Sequence, residues 1–480
     1  MEPEELAGAL KRLAQWAERY APVAESPVRR RLRAHFGVDP ADLPVVSRPL
    51  QQWDRPNLQV AMDAWLVGRE VEVVGVASMQ GYRAGLAELV RGGEWASALE
   101  LGAIEHVEVP LGEHDSVTCV QTGLWLVADR DGPLVVMLKS LDIGAGEQLG
   151  LELMAPERGR AEAVLLELRA LMAEHNVYRG RVLELRGRWF HGDEAAPLTV
   201  RVLPDVARER IVLADGVLER IERQALGFAR HASALRASGR HLRRGLLLHG
   251  PPGTGKTLTV MYLASRMPER TVVMLTGQSL GQVALSVDLA TALAPAMVVL
   301  EDADLVAMER SFEPTNAVLF ELLNAMDGLD EDHDVLFVLT TNRPERLEPA
   351  LAARPGRIDQ AIAFTLPDAA GRERLLSLYG EGLDLGLQDP DAIIAELDGT
   401  SPAFIRELLR RAALVAAEAG EEHLHVGDRE LRAALEELRR AGDDLTQTLL
   451  GARPPVALPD DLAVPEPHAF PGELADDVDH

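Results

Sequence analysis

Leu246-Leu247-Leu248-His249-Gly250-Pro251-Pro252-Gly253-Thr254-Gly255-Lys256-Thr257 decides how the rest of this chain is read. An apolar run ends in a Gly-rich loop, and the loop closes on Lys-Thr ahead of a helix-capable segment. This is the order G-x-x-x-x-G-K-[ST] of a phosphate-binding loop. Glycines let the backbone wrap so that successive N–H groups face the phosphates. The following helix offers its N-terminus to the same anion. Lys256 is placed to reach the β- and γ-phosphates, and the Thr257 hydroxyl to ligate Mg²⁺. A Gly-Pro surface loop that merely carries a Lys is the blander alternative. The apolar run directly before it reads as a buried strand and weighs against that.

Strands and helices alternate outward from the loop. Thr271–Leu275, Met297–Leu300 and Val335–Leu339 read as strands, with helical patterns at Val287–Leu293 and Ala317–Met326. Such alternation predicts a parallel sheet with its ligand at the carboxyl ends of the strands. The second strand ends in Glu301-Asp302. One acid there holds Mg²⁺ and its neighbour can orient or deprotonate the attacking water. The next strand ends in Thr340-Thr341-Asn342, whose amide can donate and accept around that water. Arg354 and Arg357, three apart on a Pro-Gly turn, offer guanidinium groups for transition-state charge, and two solvated surface arginines are the alternative.

The chain has 480 residues, a prior of about three domains at roughly 150 residues each. Residues 1–205 read as a mixed α/β recognition or regulatory region with strands near 70–74, 104–109, 117–127, 134–138, 177–185 and 198–203, and helices at 4–20 and 162–174. Residues 206–366 form the α/β nucleotide subdomain and 367–440 a helical lid. Residues 441–480 read as an acidic, Pro-rich, disordered tail, with six prolines between Pro454 and Pro471 and, from Gly451 on, seven acids against Arg453.

The net charge of −27 argues against phosphate-backbone binding, so nucleic acid is not the expected partner. Arg29-Arg30-Arg31-Leu32-Arg33 is a local exception that reads as a solvated helix face. No apolar run approaches the ~20 residues of a membrane span. The acidic start and the single Cys119 lead to a cytoplasmic expectation.

Taken jointly, Gly250–Thr257, Val298–Asp304, Thr341–Pro344, Leu347–Leu351, Arg354–Asp359 and the segment Asp398–Leu408 resemble the AAA family of ATPases, the clade with the second region of homology. The resemblance covers about Arg210 to Leu438. It implies a P-loop NTPase parallel-sheet domain with a C-terminal helical lid, here preceded by the mixed α/β region. It also implies ATP and Mg²⁺, with Gly250, Pro251, Pro252, Gly253, Thr254, Gly255, Lys256, Thr257 and Leu258 around the nucleotide and Thr257 and Glu301 at the metal. The catalytic residues it implies are Lys256, Glu301, Asp302, Asn342 as sensor 1, and Arg354 and Arg357 as fingers reaching the ATP of the next copy. A homo-oligomeric ring, usually a hexamer, is then required, and Asp304 falls where the family carries an acid near the interface. The expected function is remodelling of a protein client, with hydrolysis moving residues 1–205 relative to the ring.

Three departures qualify the resemblance. Glu301-Asp302 stands where the family usually has Asp-Glu, which predicts slower hydrolysis. The loop Gly277–Gln282 lacks the aromatic-apolar-Gly trio of threading members. Pro402-Ala403-Phe404 replaces Gly-Ala-Asp in the lid. An ATP-gated assembly scaffold with little hydrolysis is the first rival reading, and a nucleic-acid motor the second.

Overall fold

The computed structural model describes residues 26–77, 85–91, 100–142, 147–185, 198–276, 279, 282–303, 317–328, 333–345, 347, 357–418 and 424–440. The expected helix at 4–20, the expected tail, Asp304, Arg354 and most of the loop at 277–282 lie outside them.

The N-terminal region is built on an antiparallel sheet. In chain order its elements are α1 (Pro27–Phe36), β1 (Val45–Leu50), α2 (Arg55–Leu66), β2 (Glu70–Ala77), α3 (Leu86–Arg91), β3 (Glu100–Gly102), β4 (Glu105–Pro110), β5 (Ser116–Asp129), β6 (Gly132–Asp142), β7 (Glu147–Met154) and α4 (Arg158–Glu174). The strand order is β1-β7-β6-β5-β2-β3, with β4 also paired to β5. Alternation along the strands feeds two apolar layers. Trp125, Val127, Leu134 and Val136 pack with Leu58 and Met62 of α2 and Val164 and Leu168 of α4. Leu124, Leu126, Val135 and Met137 pack with Leu32 of α1 and Leu89 of α3. The arginines of α1 lie on a solvated face, as expected, and three of them pair with acids there. Arg29 and Arg33 both pair with Asp39, and Arg31 pairs with Glu72.

The second sheet contains β8 (Val182–Leu185), β9 (Leu198–Arg201), β10 (Arg244–His249), β11 (Thr271–Leu275), β12 (Ala296–Leu300), β13 (Val335–Thr341) and β14 (Gln360–Ala363), in the order β14-β10-β13-β12-β11-β8-β9. All its pairings are parallel except β8 with β9. This corrects the boundary expected at 205, because β8 and β9 were assigned to the N-terminal region and instead extend the nucleotide sheet. Short alternating strands carry no mark of which sheet they will join, and the open edge of β11 supplies the partner. Helices α5 (Val217–Glu222), α6 (Phe228–Ala237), α7 (Lys256–Ser265), α8 (Val283–Ala292) and α9 (Ala317–Asp327) fall between or before the strands.

The two sheets share a core. Leu111 and Tyr178 lie in one buried cluster with Leu183, Val273, Val298 and Phe337. Tyr178 Oη donates to the Trp53 carbonyl at 3.0 Å, and Asn57 Oδ1 accepts from Val177 N–H at 2.8 Å. The lid follows as α10 (Ala369–Tyr379), β15 (Asp384–Gly386), α11 (Pro390–Glu396), α12 (Pro402–Glu418), β16 (His425–Gly427) and α13 (Asp428–Arg440), with β15 and β16 paired. Its core includes Leu375, Ile393, Phe404, Leu408 and Leu435.

The described residues divide into two compact units. One holds those up to Arg208 with Gly216–His249 and Thr257–Ala363. The other holds Glu209–Asp215, Gly250–Lys256 and those from Phe364 onward.

Candidate nucleotide-hydrolysing site

The phosphate loop has the backbone its glycines predict. Gly250, Gly253 and Gly255 have φ of 147°, 74° and 98°, a region where a side chain is strained. Thr254 Oγ1 donates to the Pro251 carbonyl at 2.8 Å and ties the turn. Lys256 Nζ donates to the carbonyls of Gly250 and Pro251 at 2.8 and 2.9 Å, and its side chain is buried. The amine is thus held along the loop it must serve. The lid closes onto the same loop. Ala403 N–H donates to the Gly253 carbonyl at 3.1 Å, at the first turn of α12. A Cβ on Gly253 would meet Ala403 Cβ at 2.8 Å and Ser401 Oγ at 2.9 Å. Phe404, where the family carries Asp, is buried in the lid core and offers nothing polar to a nucleotide.

The acidic half of the site stands at the carboxyl ends of β12 and β13. Leu300 is paired with Leu339, so Glu301-Asp302 and Asn342 emerge from adjacent strands. Their hydrogen-bond partners differ. Glu301 accepts a hydrogen bond from Thr257, the residue after Lys256. Burial pushes its carboxyl above the usual range, the Thr257 bond opposes this, and the Asp302 charge adds to the rise. Glu301 Oε1 is buried with no hydrogen-bond partner among the described residues, which calls for an explanation in a folded protein. A hydroxyl and a carboxylate with a spare oxygen are the hard donors that Mg²⁺ takes while keeping its remaining waters. Mg²⁺ therefore fits Thr257 and Glu301.

Asp302 is turned the other way. Its φ of 48° is the one positive value at a non-glycine among the described residues. Such backbone costs on the order of 1–3 kcal/mol and is kept where its surroundings hold it. Thr340 holds it, accepting the Asp302 N–H at its Oγ1, 3.0 Å, and the Ala303 N–H at its carbonyl, 2.9 Å. Asn342 Nδ2 then donates to Asp302 Oδ1 at 3.1 Å. The structure thus brings together Thr257 with Glu301, and Asp302 with Asn342. Thr340 was missed in the sequence. Its signal was a pair of hydroxyl residues, Thr340-Thr341, closing an otherwise apolar strand before Asn342.

Arg357 is placed elsewhere. It pairs with Asp327 at the end of α9, and its carbonyl lies against Gly245 at the start of β10. Asp359 clamps that start, with Oδ2 accepting from Gly245 N–H at 2.8 Å. The acids stand at the opposite end of the sheet. Gly245 is level with Phe337 and so with Val298, which puts the acids about 10–13 Å further along the strands and two strands across. The Arg357 side chain is turned to Asp327 and away from them. Arg354 lies outside the described residues.

A Gly-rich loop between a central parallel strand and a helix, acids on the neighbouring strand ends and a helical lid define a P-loop nucleoside triphosphatase domain. Residues 246–366 match the family model described as "ATPase family associated with various cellular activities (AAA)". This chain carries an AAA-family ATPase domain. It is 34% identical over 234 residues to "ATP-dependent zinc metalloprotease FtsH 1" of Symbiobacterium thermophilum, covering 46% of this chain and 39% of that protein. It is 34% identical over 235 residues to "ATP-dependent zinc metalloprotease FtsH 4" of Sphaerobacter thermophilus, covering 44% and 35%. It is 31% identical over 245 residues to "ATP-dependent zinc metalloprotease FtsH" of Thermus thermophilus, covering 47% and 38%. The chain thus spans under two fifths of the length of these relatives. No helix among the described residues is long and apolar enough to cross a membrane.

Proposed function

We propose that this protein is a Mg²⁺-dependent ATPase that acts as a cytoplasmic ring of copies, a hexamer, and remodels a protein client engaged by its N-terminal region. The observation that carries the reading is the division of labour at the strand ends, Glu301 with Thr257 and Asp302 with Asn342. Backbone amides of Gly253–Lys256 and the Lys256 amine would take the β- and γ-phosphates. Mg²⁺, when bound, would supply charge neutralisation across the phosphate oxygens. Asp302, its carboxylate oriented by Asn342, would accept the proton of the attacking water. Asn342 would keep the carboxylate aimed as the charge moves. Arg357 of an adjacent copy would meet the developing charge on the γ-phosphoryl group. Its distance from the acids of its own chain favours that sharing between copies.

The shared core of the two sheets changes one part of the expectation. It favours an N-terminal sheet that travels with its own nucleotide sheet, so the client would be moved by changes between copies and at the lid.

The test is Asp302→Asn, which keeps an oxygen for Asn342 and an Asx residue that tolerates positive φ. Nucleotide binding should persist and turnover should fall at least about 100-fold, as general-base removal predicts. Turnover within a few-fold of wild type would remove Asp302 from the mechanism. The same variant, loaded with ATP, is the trap for recovering the client. A scaffold that hydrolyses little is the second reading, favoured by the short, strained Asp302. Phosphate release measured against protein concentration separates the two, since the scaffold assembles with nucleotide and shows no turnover.

A further inference from the structure

Strands β8 and β9 lie outside the family-matched segment, yet they complete a row of side chains that ends at Glu301. Met274 is level with Glu184 on one side and with Val299 on the other, so the three share one face of the sheet. Two residues further on, Thr276 and Glu301 keep that face. The ladder continues between them, since Glu301 N–H donates to the Leu275 carbonyl at 3.1 Å. Arg201 is level with Val182, two residues before Glu184, and again shares the face.

The side chains link along this row. Arg201 Nε lies 2.8 Å from Glu184 Oε2, and Thr276 Oγ1 donates to Glu184 Oε1 at 3.1 Å. With strands about 4.8 Å apart, Glu184 stands roughly 10 Å from Glu301 across β11.

We propose that Glu184 and Arg201 are positioning residues for Glu301. Their ion pair holds Thr276, and Thr276 fixes the Leu275 carbonyl on which the Glu301 backbone rests. The inference rests on the reading of Glu301 as the Mg²⁺ ligand. It makes the hairpin β8–β9 a functional part of the ATPase sheet, where a salt bridge at a sheet edge would otherwise add a little stability and nothing more.

The test is the double variant Glu184→Ala/Arg201→Ala, which leaves the net charge unchanged and removes both the ion pair and the acceptor of the Thr276 hydroxyl. Mn²⁺ binding to the full chain is followed by electron paramagnetic resonance with a non-hydrolysable ATP analogue present. Affinity for a fluorescent ATP analogue is measured separately in EDTA. Outer partners of metal ligands are worth about 10- to 100-fold, so Mn²⁺ affinity should fall about tenfold or more. Nucleotide affinity in EDTA should stay within about twofold, a split that general destabilisation would not produce. Arg201→Lys keeps the pair and should bind Mn²⁺ within about threefold of wild type. Should the double variant fail to fold, Thr276→Val removes the bridging donor alone and should show the same split. Mn²⁺ affinity within about twofold of wild type in a folded variant overturns the proposal. A wild-type chain that binds nucleotide but no Mn²⁺ overturns the metal reading itself, and this inference with it.

Discussion

Replacing Gly253 by Ala tests whether the lid and the phosphate loop are one mechanical piece. The new methyl group meets two costs. The first is conformational, because φ of 74° is left-handed and costs an L-residue roughly 1–2 kcal/mol. The second is steric, because the methyl would lie 2.8 Å from Ala403 Cβ and 2.9 Å from Ser401 Oγ. Ser401 is fully buried and its Oγ accepts from Phe404 N–H at 3.2 Å, so neither neighbour gives way without moving the first turn of α12. Overpacking of this kind costs about 1–3 kcal/mol. The total is about 2–5 kcal/mol, and the Ala403–Gly253 hydrogen bond should break. Gly255→Ala is the control, with φ of 98° and nothing within 4 Å of its added Cβ, so it carries strain alone. Thermal unfolding should show a drop of about 5–15 °C for Gly253→Ala and roughly half that for Gly255→Ala, on the usual scaling of a few degrees per kcal/mol. Hydrogen exchange should speed up at the α12 N-terminus in the first variant and not in the second. Equal shifts in the two variants, with unchanged exchange at Ala403, would refute the steric coupling of loop and lid.

Three further outcomes follow from charge placement. Burial raises the Glu301 carboxyl, so its ionised form costs folding stability at any pH above its unfolded value. Glu301→Gln should therefore melt higher than wild type in EDTA at pH 7, with the gap closing as pH falls toward 4.5. A lower melting temperature at pH 7 would contradict it. Arg410 and then Arg411 hold the Glu407 carboxyl down to about 2, which adds stability above its unfolded value and loses it as pH falls through that range. Glu407→Gln should cost at most about 1 kcal/mol at pH 7, as such exposed pairs do, and less at each step below pH 4.5 by circular dichroism melts. Finally, Arg357→Ala and Asp302→Asn should each be inactive, and mixing the two should restore turnover at interfaces that combine an intact acid with an intact arginine. Losses of about 10³-fold or more are typical when such a guanidinium is removed. A mixture as inactive as its parts would place Arg357 outside the chemistry.

Strands β10, β12 and β13 of the nucleotide sheet were legible because each is an apolar run ending in a residue type that chemistry explains. Leu246–Leu248 leads to the glycines, Met297–Leu300 to the acids, and Val335–Leu339 to Asn342. The hairpin β8–β9 was misassigned for the opposite reason. Val182–Leu185 alternates like any half-buried strand, and its partner Thr271–Leu275 lies about 90 residues away, a pairing that no local pattern encodes. Thr340 and the Ala403–Gly253 contact were hidden for a related cause. Each acts through one oxygen or one missing methyl group set by tertiary packing, which hydrophobic periodicity does not report. Even the swapped acids became interpretable only with backbone angles. The order Glu301-Asp302 puts the longer side chain on the half-buried residue bonded to Thr257 and the shorter one on a left-handed residue held by Thr340 and Asn342.

Consider what that swap does to the geometry of hydrolysis. A glutamate in the polarising position would reach the water from an ordinary backbone. An aspartate is about 1.5 Å shorter, one carbon–carbon bond. The positive φ redirects the Asp302 side chain, and the Asn342 amide donates to its Oδ1. That arrangement trades backbone strain for reach. It also makes the water position depend on Asn342 more than it would with a longer acid, since a short carboxylate has fewer ways to recover its aim. The arginine completes the same logic from outside the subunit. Arg357 lies at the start of β10 beside Gly245 and pairs with Asp327, away from the acids of its own copy. In the proposed ring each copy meets its neighbour head to tail, the arrangement that closes when the rotation between copies divides the circle. Hydrolysis then needs two conditions at once, a strained acid held in aim within one copy and a guanidinium delivered by the next.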